Sequence, residues 1–499
     1  MAETKREIER KYESDDSGLP DLTGIGGVAA VLDKGLVELD ATYYDTADQR
    51  LAAASLTLRR RTGGSDAGWH LKLPVAPGIR DEIRAPLSDT LPAELAALVR
   101  SRVREAELVP LVRLRSARDV RHLTDADGTL LAEASADTVR AERLTGAGGT
   151  AQWTEIEVEL ADGGDPAFLD HVDTCLAGAG VRPSASPSKL ARALELTGGP
   201  LRTSPARAEP VTAGDHVLAY LRAQRDALVA LDPAVRLGTP DTVHRMRVAT
   251  RRARSALRTF RAVLDRAATE PVAAELKWLA GELGVDRDQE VLAERLTTAL
   301  DALPATLATG PVHERLTSWA RARGAGAPAH LAGVLDSPRH LALLNTLDAL
   351  LADPPLREAA GRKPGKALGE AVHKDLAKLT ARVERALDLP PGTERDLALH
   401  EARKKAKRTR YAAEAATPAL GAPARRLTAA MKSLTTLLGD HQDSVMARRT
   451  LRELAAVAHA AGESAFPYGV LYGREEARAA VAEAELPARW RGVADRSFG

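Results

Sequence analysis

Apolar and charged residues alternate one for one in short stretches across roughly the first 195 residues. "REIERKY" (6–12), "LTLRRRT" (56–62), "GWHLKLP" (68–74), "PLVRLRSAR" (110–118), "GTLLAEASAD" (128–137) and "WTEIEVEL" (153–160) all follow this pattern. A period of two sends alternate side chains to opposite faces, so each stretch predicts a strand. Turn signals "GGSDAG", "DADG" and "GAGG" separate them. Helical spacing interrupts at 23–34, 92–104 and 166–179, the last with Asp165 as N-cap. Residues 196–214, rich in Gly, Pro, Ser and Thr, read as a linker. Beyond it the period becomes helical, with long Ala/Leu/Arg runs broken by "LDP", "GTPD", "ADPP" and "LPPGTE". This half repeats itself. His244 and His400 open similar basic runs 156 residues apart, and "LGVDRD" and "LGDHQD" place Gly284/Asp288 and Gly439/Asp443 155 apart. Two motifs at nearly one spacing predict a duplicated helical unit. The expected domains are 1–197, a linker at 198–213, and 214–499.

The 499 residues exceed one ordinary core, in agreement with two domains. Aromatics are only 3%, so Ala, Leu and Val must fill the interior. The net charge of +1 conceals strong segregation along the chain. A single cysteine, Cys175, excludes an intramolecular disulfide and a cysteine-rich metal site, and fits a reducing compartment. The N-terminal stretch has no apolar core for a signal peptide, and no run of 18 apolar residues occurs. A cytoplasmic protein without a membrane span is the expectation.

The strands carry like chemistry on single faces. Glu7, Glu9 and Lys11 share one; so do Arg59 and Arg61, His70 and Lys72, Arg80, Glu82 and Arg84, Arg113 and Arg115, and Glu155, Glu157 and Glu159. For any one stretch a solvated face is a sufficient explanation. Taken together they predict a sheet closed into a barrel, charged inside and covered outside by helices. A charged lumen is costly, which points to a ligand. Basic groups suit a polyanion, and repeated carboxylates suit a hard divalent cation. With no Gly-rich phosphate loop in the sequence, side chains must hold the phosphates.

These residues resemble the CYTH domain of the triphosphate tunnel metalloenzymes. Glu7-Ile-Glu9-Arg-Lys11 is similar to its ExExK signature, and "YYDTADQRLAAASLTLRRR", "WHLKLP", "RDEIRAPL", "LLAEASADTV", "WTEIEVEL" and "SPSKLARAL" follow in the family's order, covering about residues 3–197. The resemblance implies an eight-stranded antiparallel barrel around a tunnel, and cleavage or rearrangement of triphosphates with Mg²⁺ or Mn²⁺. It makes Glu7 and Glu9 metal ligands, partnered by Glu157 and Glu159, or in the alternative register by Glu155 and Glu157. Lys11, Arg59, Arg61, Lys72, Arg113, Arg115, Arg118 and Lys189 become triphosphate contacts. Lys11, Glu157 and Glu159 are the catalytic candidates, and Glu133 and Asp137 are further acids of unassigned role. The implied reaction is hydrolysis without a covalent nucleophile.

On a helical wheel, Arg247, Arg251, Arg254, Arg258 and Arg261 lie within about 100° to one side of His244, opposite Met246, Ala249, Ala253 and Phe260. No acid lies between Val243 and Val263. His400, Arg403, Lys404, Lys407 and Arg410 form a second such face, with Tyr411 beside it. Two acid-poor ladders repel unless an anion lies between them. The faces carry few aromatic or amide side chains to read or stack bases, so sequence-specific nucleic acid is not expected and phosphate without bases is. Both copies resemble the CHAD domain, over roughly 214–490. That resemblance implies an all-α domain of two pseudo-symmetric four-helix bundles with a basic, polyphosphate-binding cleft. The cleft candidates are His244, Arg247, Arg251, Arg252, Arg254, Arg258, Lys374, Lys378, His400, Arg403, Lys404, Lys407, Arg408 and Tyr411. Arginine neighbours would repel a metal from either histidine. Asp288 and Asp443 are expected to cap helices or orient arginines.

The combined expectation is a metal-dependent inorganic triphosphatase, or a polyphosphate-end hydrolase, joined to a polyphosphate-binding domain. It would be cytoplasmic, with association with polyphosphate granules as a further expectation. The alternatives are a non-catalytic polyphosphate-binding protein and a hydrolase of thiamine triphosphate or nucleoside triphosphates.

Overall fold

The computed structural model describes residues 3–14, 18–146, 148–198, 208–324 and 326–494, with the side chains of residues 285–288, 323, 324, 327, 328 and 494 also outside the description. The chain divides into two compact units, Met1–Arg207 and Ala208–Gly499.

In the first unit, eight antiparallel strands close a barrel in the order β1-β5-β4-β3-β2-β6-β7-β8. They are β1 (Glu3–Ser14), β2 (Ala30–Thr46), β3 (Thr57–Thr62), β4 (Gly68–Ala76), β5 (Ile79–Pro86), β6 (Leu108–Thr124), β7 (Leu130–Arg143) and β8 (Thr150–Leu160). Three helices join them: α1 (Ala93–Val103), α2 (Ala167–Gly178) and α3 (Lys189–Leu196). The outer apolar faces are covered as expected. Leu95, Leu98, Val99 and Val103 of α1 pack on Leu58, Trp69, Leu71 and Ile83. Phe168, Leu169, Val172 and Leu176 of α2 pack on Tyr12, Ile156, Val158 and Leu160. Asp165 accepts a hydrogen bond from the Ala167 amide at the start of α2 (3.0 Å).

The helix expected at 23–34 is absent. Residues 23–27 form turns, and β2 begins at Ala30. Gly24, Gly26 and Gly27 all have positive φ, which interrupts a helix. The apolar spacing that suggested one belongs to a strand running beyond the barrel rim, where Leu32 and Leu36 are exposed and paired with β6.

α3 seals one end of the barrel. Its Ser188 N-cap accepts from the Ala191 amide. Leu190, Ala193 and Leu194 then pack on Tyr43, Leu114, Val139 and Trp153, residues on the inward-facing positions of β2, β6, β7 and β8.

The second unit is all-α, with eleven helices among the described residues: α4 (Ala213–Arg236), α5 (Thr242–Thr259), α6 (Arg266–Glu282), α7 (Val285–Asp301), α8 (Val312–Gly324), α9 (Ala327–Asp336), α10 (Pro338–Ala352), α11 (Pro364–Asp388), α12 (Thr393–Leu420), α13 (Ala422–Ala460) and α14 (Phe466–Ala494). A capping box between Thr212 and Asp215 starts α4. The repeat spacing sets α4, α5, α6 with α7, and α8 against α11, α12, α13 and α14. One long helix in the second copy thus corresponds to two in the first. The difference lies at "GELGVD", where Gly281 and Gly284 weaken the helix that "TLLGD" continues with one glycine.

Candidate functional site

The barrel lumen is a cavity of about 530 Å³ lined by Glu7, Glu9, Lys11, Arg59, Arg61, Lys72, Arg118, Glu157, Glu159 and Lys189, with Lys5, Arg80, Arg84 and Tyr43. Strand alternation brings them inward, and pairing sets their heights. Glu9 faces Glu159, and Lys11 faces Glu157, across β1 and β8. Like charges directly opposite each other destabilise a sheet unless a cation intervenes. Here each carboxylate already has one: Lys5 reaches Glu159 at 2.6 Å, Lys72 reaches Glu7 at 2.6 Å, and Lys11 holds Glu9 at 3.1 Å and also pairs with Glu157.

These pairings separate the acids. Burial raises the Glu9 carboxyl, but Lys11 and Lys72 outweigh it and hold it at about 2. Glu7 is pushed up by burial, which Lys72 only partly offsets, with Glu82 and Glu9 adding to the rise. Glu157, fully buried, is kept well below the usual range by Lys11, Lys189 and Arg118. On the cationic wall, Arg61 is pushed down to about 9 by burial and by Arg59 and Arg118. Arg61 also pairs with Asp66.

Glu82, which the sequence placed on a charged face with Arg80 and Arg84 but gave no role, is an organising residue. It is fully buried; its carboxylate lies 2.9 Å from His70 Nδ1, 2.5 Å from Arg84 and 3.4 Å from Arg59. Asp137 has the same office on the opposite side, accepting from Arg118 Nε and Nη2 at 2.7 and 2.8 Å and lying 2.9 Å from Lys189.

Arg113 and Arg115 do not join the lumen. They pair with Asp40 on the outer face, at 2.6 and 3.6 Å. The pairing of β6 with β7 is unbroken from Val112 to Leu123, so residues 113 and 115 must face opposite to Arg118. Glu155 has lumen parity but lies beneath α3, bonded by Trp153 Nε1 (2.6 Å) and 2.6 Å from Lys189. Glu133 lines the cavity, and its carboxylate is 3.4 Å from His122.

The donor set tests where a hard cation fits. Asp137, Glu155 and Glu157 offer oxygens within 4.8 Å of one another. Lys189 Nζ already lies among them, at 2.9, 2.6 and 2.6 Å, so the chain itself fills that position. Glu7, Glu9 and Glu159 also face the cavity, each paired with a lysine, Lys72, Lys11 and Lys5 in turn, and their oxygens are not among the groups that converge within 4.8 Å; a hard cation there would have to displace those lysines. Asp396, His441 and Glu483 also cluster in the second unit, but Arg395 and Arg448 already pair with its carboxylates.

In the second unit, a cleft of about 480 Å³ brings Arg251, Arg254 and Arg258 of α5 together with Lys404, Lys407, Arg408 and Tyr411 of α12. Lys277, Arg382 and Lys405 complete it, and sequence periodicity missed them because they come from other helices or from the inner side of the ladder. Glu401 is the acid of the lining, paired with Arg382 (3.0 Å) and Lys404. Burial and three cations, Arg403, Arg251 and Arg247, push Lys407 down to about 7. Arg252 turns away to pair with Glu414. Lys378 lines an adjoining pocket, whereas Lys374 and His244 are exposed outside both. His400 Nδ1 lies 2.7 Å from Gln442 Oε1, a structural hydrogen bond.

The repeated "LG" motif now has a cause. A Cβ on Gly284 would meet the Arg247 guanidinium at 2.8 Å, and one on Gly439 would meet that of Arg403 at 3.4 Å. In each copy the glycine makes room for the first arginine of the ladder. Asp443 lies inside α13, not at its end, so it is no cap; burial pushes its carboxyl up, and Arg403 offsets that most strongly. Asp288 lies outside the described side chains.

Among the described residues no helix is long and apolar enough to cross a membrane. The family models that match are the CYTH domain, over residues 5–193, and the CHAD domain, over 219–452. The uncharacterized protein Rv2226 of Mycobacterium tuberculosis (strain ATCC 25618 / H37Rv) is 39% identical over 486 residues, covering 94% of this chain and 92% of the relative. Among solved structures, PptA from Streptomyces chartreusis aligns with 56% of this chain and 100% of its own at 23% identity and TM-score 0.47. The CHAD domain from the plant Ricinus communis aligns with 59% of this chain and 96% of its own, at 26% identity and TM-score 0.45. With a charged eight-stranded tunnel ahead of a duplicated basic helical unit, and matches spanning both, the chain belongs to the CYTH–CHAD fusion proteins.

Proposed function

We propose that the barrel is a metal-dependent hydrolase of inorganic triphosphate or of polyphosphate ends, and that the helical unit binds polyphosphate. The lumen carries this reading: three carboxylates on one wall, a convergent set of guanidinium and ammonium groups on the other, and α3 closing one end. Glu7, Glu9 and Glu159 would hold a divalent cation, which when bound would supply charge neutralisation at the phosphoryl oxygens and activation of water. The chain's own residues do the rest. Lys5 and Lys72, paired here with Glu159 and Glu7, would be free to face phosphate once those carboxylates are engaged, while Arg59, Arg61, Lys11 and Arg118 line the path as donors. Glu157, held ionised by three cations, orders those cations instead of moving a proton. Because α3 blocks the far end, a polyphosphate enters by its terminus. Tyr43 is the one aromatic of the lining and stands by Arg59, which gives an organic moiety little to stack on and favours an inorganic substrate.

Phosphate release from tripolyphosphate, measured with Mg²⁺, Mn²⁺ or chelator beside thiamine triphosphate and ATP, tests this. Metal-dependent release fastest on tripolyphosphate is expected. Faster turnover of an organic triphosphate would overturn the substrate, and no release on any would leave the barrel a binding module.

The cleft has a pH signature. Lys407 is partly neutral near pH 7, and a bound polyanion favours its charged form, so binding takes up a proton. Affinity for polyphosphate should fall as pH rises above about 7, by up to about tenfold per unit from this one group. Titrations from pH 6 to 9 at fixed ionic strength should show this, and Lys407→Arg should flatten the dependence.

A further inference from the structure

The duplicated helical unit is not symmetric in charge: at the repeat spacing the sign reverses at Arg245/Glu401 and at Arg258/Glu414, and the second reversal bears on the neighbourhood of the cleft. At the repeat spacing of 156, Arg252 corresponds to Arg408 and Arg258 to Glu414. Behind Tyr411 of the cleft lining, Arg252 pairs with Glu414. The buried hydroxyl of Tyr220 lies close to that pair. That pair neutralises itself. The equivalent contact is Arg408 with Arg258: the Arg408 guanidinium donates to the Arg258 carbonyl oxygen at 2.8 Å, and two cationic side chains remain side by side. Asp375 lies behind Arg408 at 3.0 Å, but it also holds Lys405 at 2.5 Å.

Past Arg258 and Arg408 the surface continues into a second pocket of about 230 Å³. The two arginines line both cavities, so the second begins where the first ends. Arg261 and Lys378 face this pocket and carry no ion pair among the described residues. Its acid, Glu270, is paired with Arg266 at 2.7 Å. The pocket thus keeps a surplus of donors suited to phosphate oxygens.

We propose that a polyphosphate chain longer than the central cleft continues in one direction only, over Arg258 and Arg408 into the pocket of Arg261 and Lys378, which is a separate chain-length-sensing subsite. This rests on the polyphosphate reading of the helical unit. A short chain fills the cleft and leaves the subsite alone; a long one gains two more cationic contacts.

The test compares the full chain with the double variant Arg261→Gln/Lys378→Gln, and with the charge-matched control Arg425→Gln/Arg426→Gln on α13. Binding of tripolyphosphate and of a long polyphosphate is measured across salt concentrations, with chelator present to silence hydrolysis. The double variant should bind the long chain about tenfold or more weakly, with its salt dependence reduced by about two released counterions, and bind the short chain as before. The control should match the unaltered protein. Equal losses on both chains, no loss on either, or the same loss in the control would overturn the subsite. Failure of the unaltered protein to bind long polyphosphate would remove the polyphosphate reading and the subsite together.

Discussion

Glu9→Gln should reduce metal-dependent phosphate release by on the order of 10²–10³-fold or more, while polyphosphate binding by the helical unit stays unchanged. The substitution keeps the shape and removes a full negative charge. Lys11 and Lys72 hold the Glu9 carboxyl at about 2 against its burial, so at any working pH the native side chain is ionised and the loss is complete. Glu9 stands opposite Glu159 and two residues from Glu7, so without it the oxygen set has no centre. Lys11 keeps Glu157 as a partner, which limits collateral damage to the fold. The measurement is a metal titration of the rate, with circular dichroism to confirm folding. A variant within tenfold of the native rate and with the same metal dependence would sink the proposed ligand set.

The largest effect on stability is expected from Asp137→Ala. That carboxylate is 1% exposed and bonds both nitrogens of one Arg118 fork and Lys189. Its removal leaves two buried cations short of a counter-charge and loosens α3. Breaking a buried pair of this kind costs about 3–5 kcal/mol. For a domain of this size that is a fall in melting temperature of roughly 6–20 °C. Added tripolyphosphate should recover part of it, since the anion supplies the missing charge. Arg113→Ala, on the exposed outer face, should cost about 1 kcal/mol or less by the same measurement. Equal effects of the two substitutions would show that the interior network does not carry the stability assigned to it.

The barrel strands were readable because a period of two survives burial of either face. "EIEVEL" and "REIERKY" gave their inward sets directly; Glu7, Glu9, Lys11, Glu157 and Glu159 line the lumen, while Glu155, of the same parity, lies beneath α3. The same rule, applied along one strand, could have shown that Arg113 and Arg115 cannot share a side with Arg118. Membership of a charged face did not show which face points in. Glu82 and Asp137 were harder to see. Their importance lies in partners from other elements, His70, Arg84 and Arg59 for one and Arg118 and Lys189 for the other, and strand pairing that sequence does not specify brings these together. β2 was misread because its outer end, beyond the barrel, has apolar residues at helical spacing and no core to give them away. In the helical half, the repeat located both ladders. It did not show that Gly284 and Gly439 exist to admit Arg247 and Arg403, a contact between helices rather than along one.

The cap that α3 places over one end of the barrel bears on how products depart. A lumen with one door cannot thread its substrate. After each cleavage the fragment at the blind end must leave along the path still held by the remaining chain, or wait for that chain to withdraw. Shortening of a long polyphosphate would then proceed in separate visits, with intermediate lengths accumulating in solution, and free orthophosphate would compete for the space the next chain end needs.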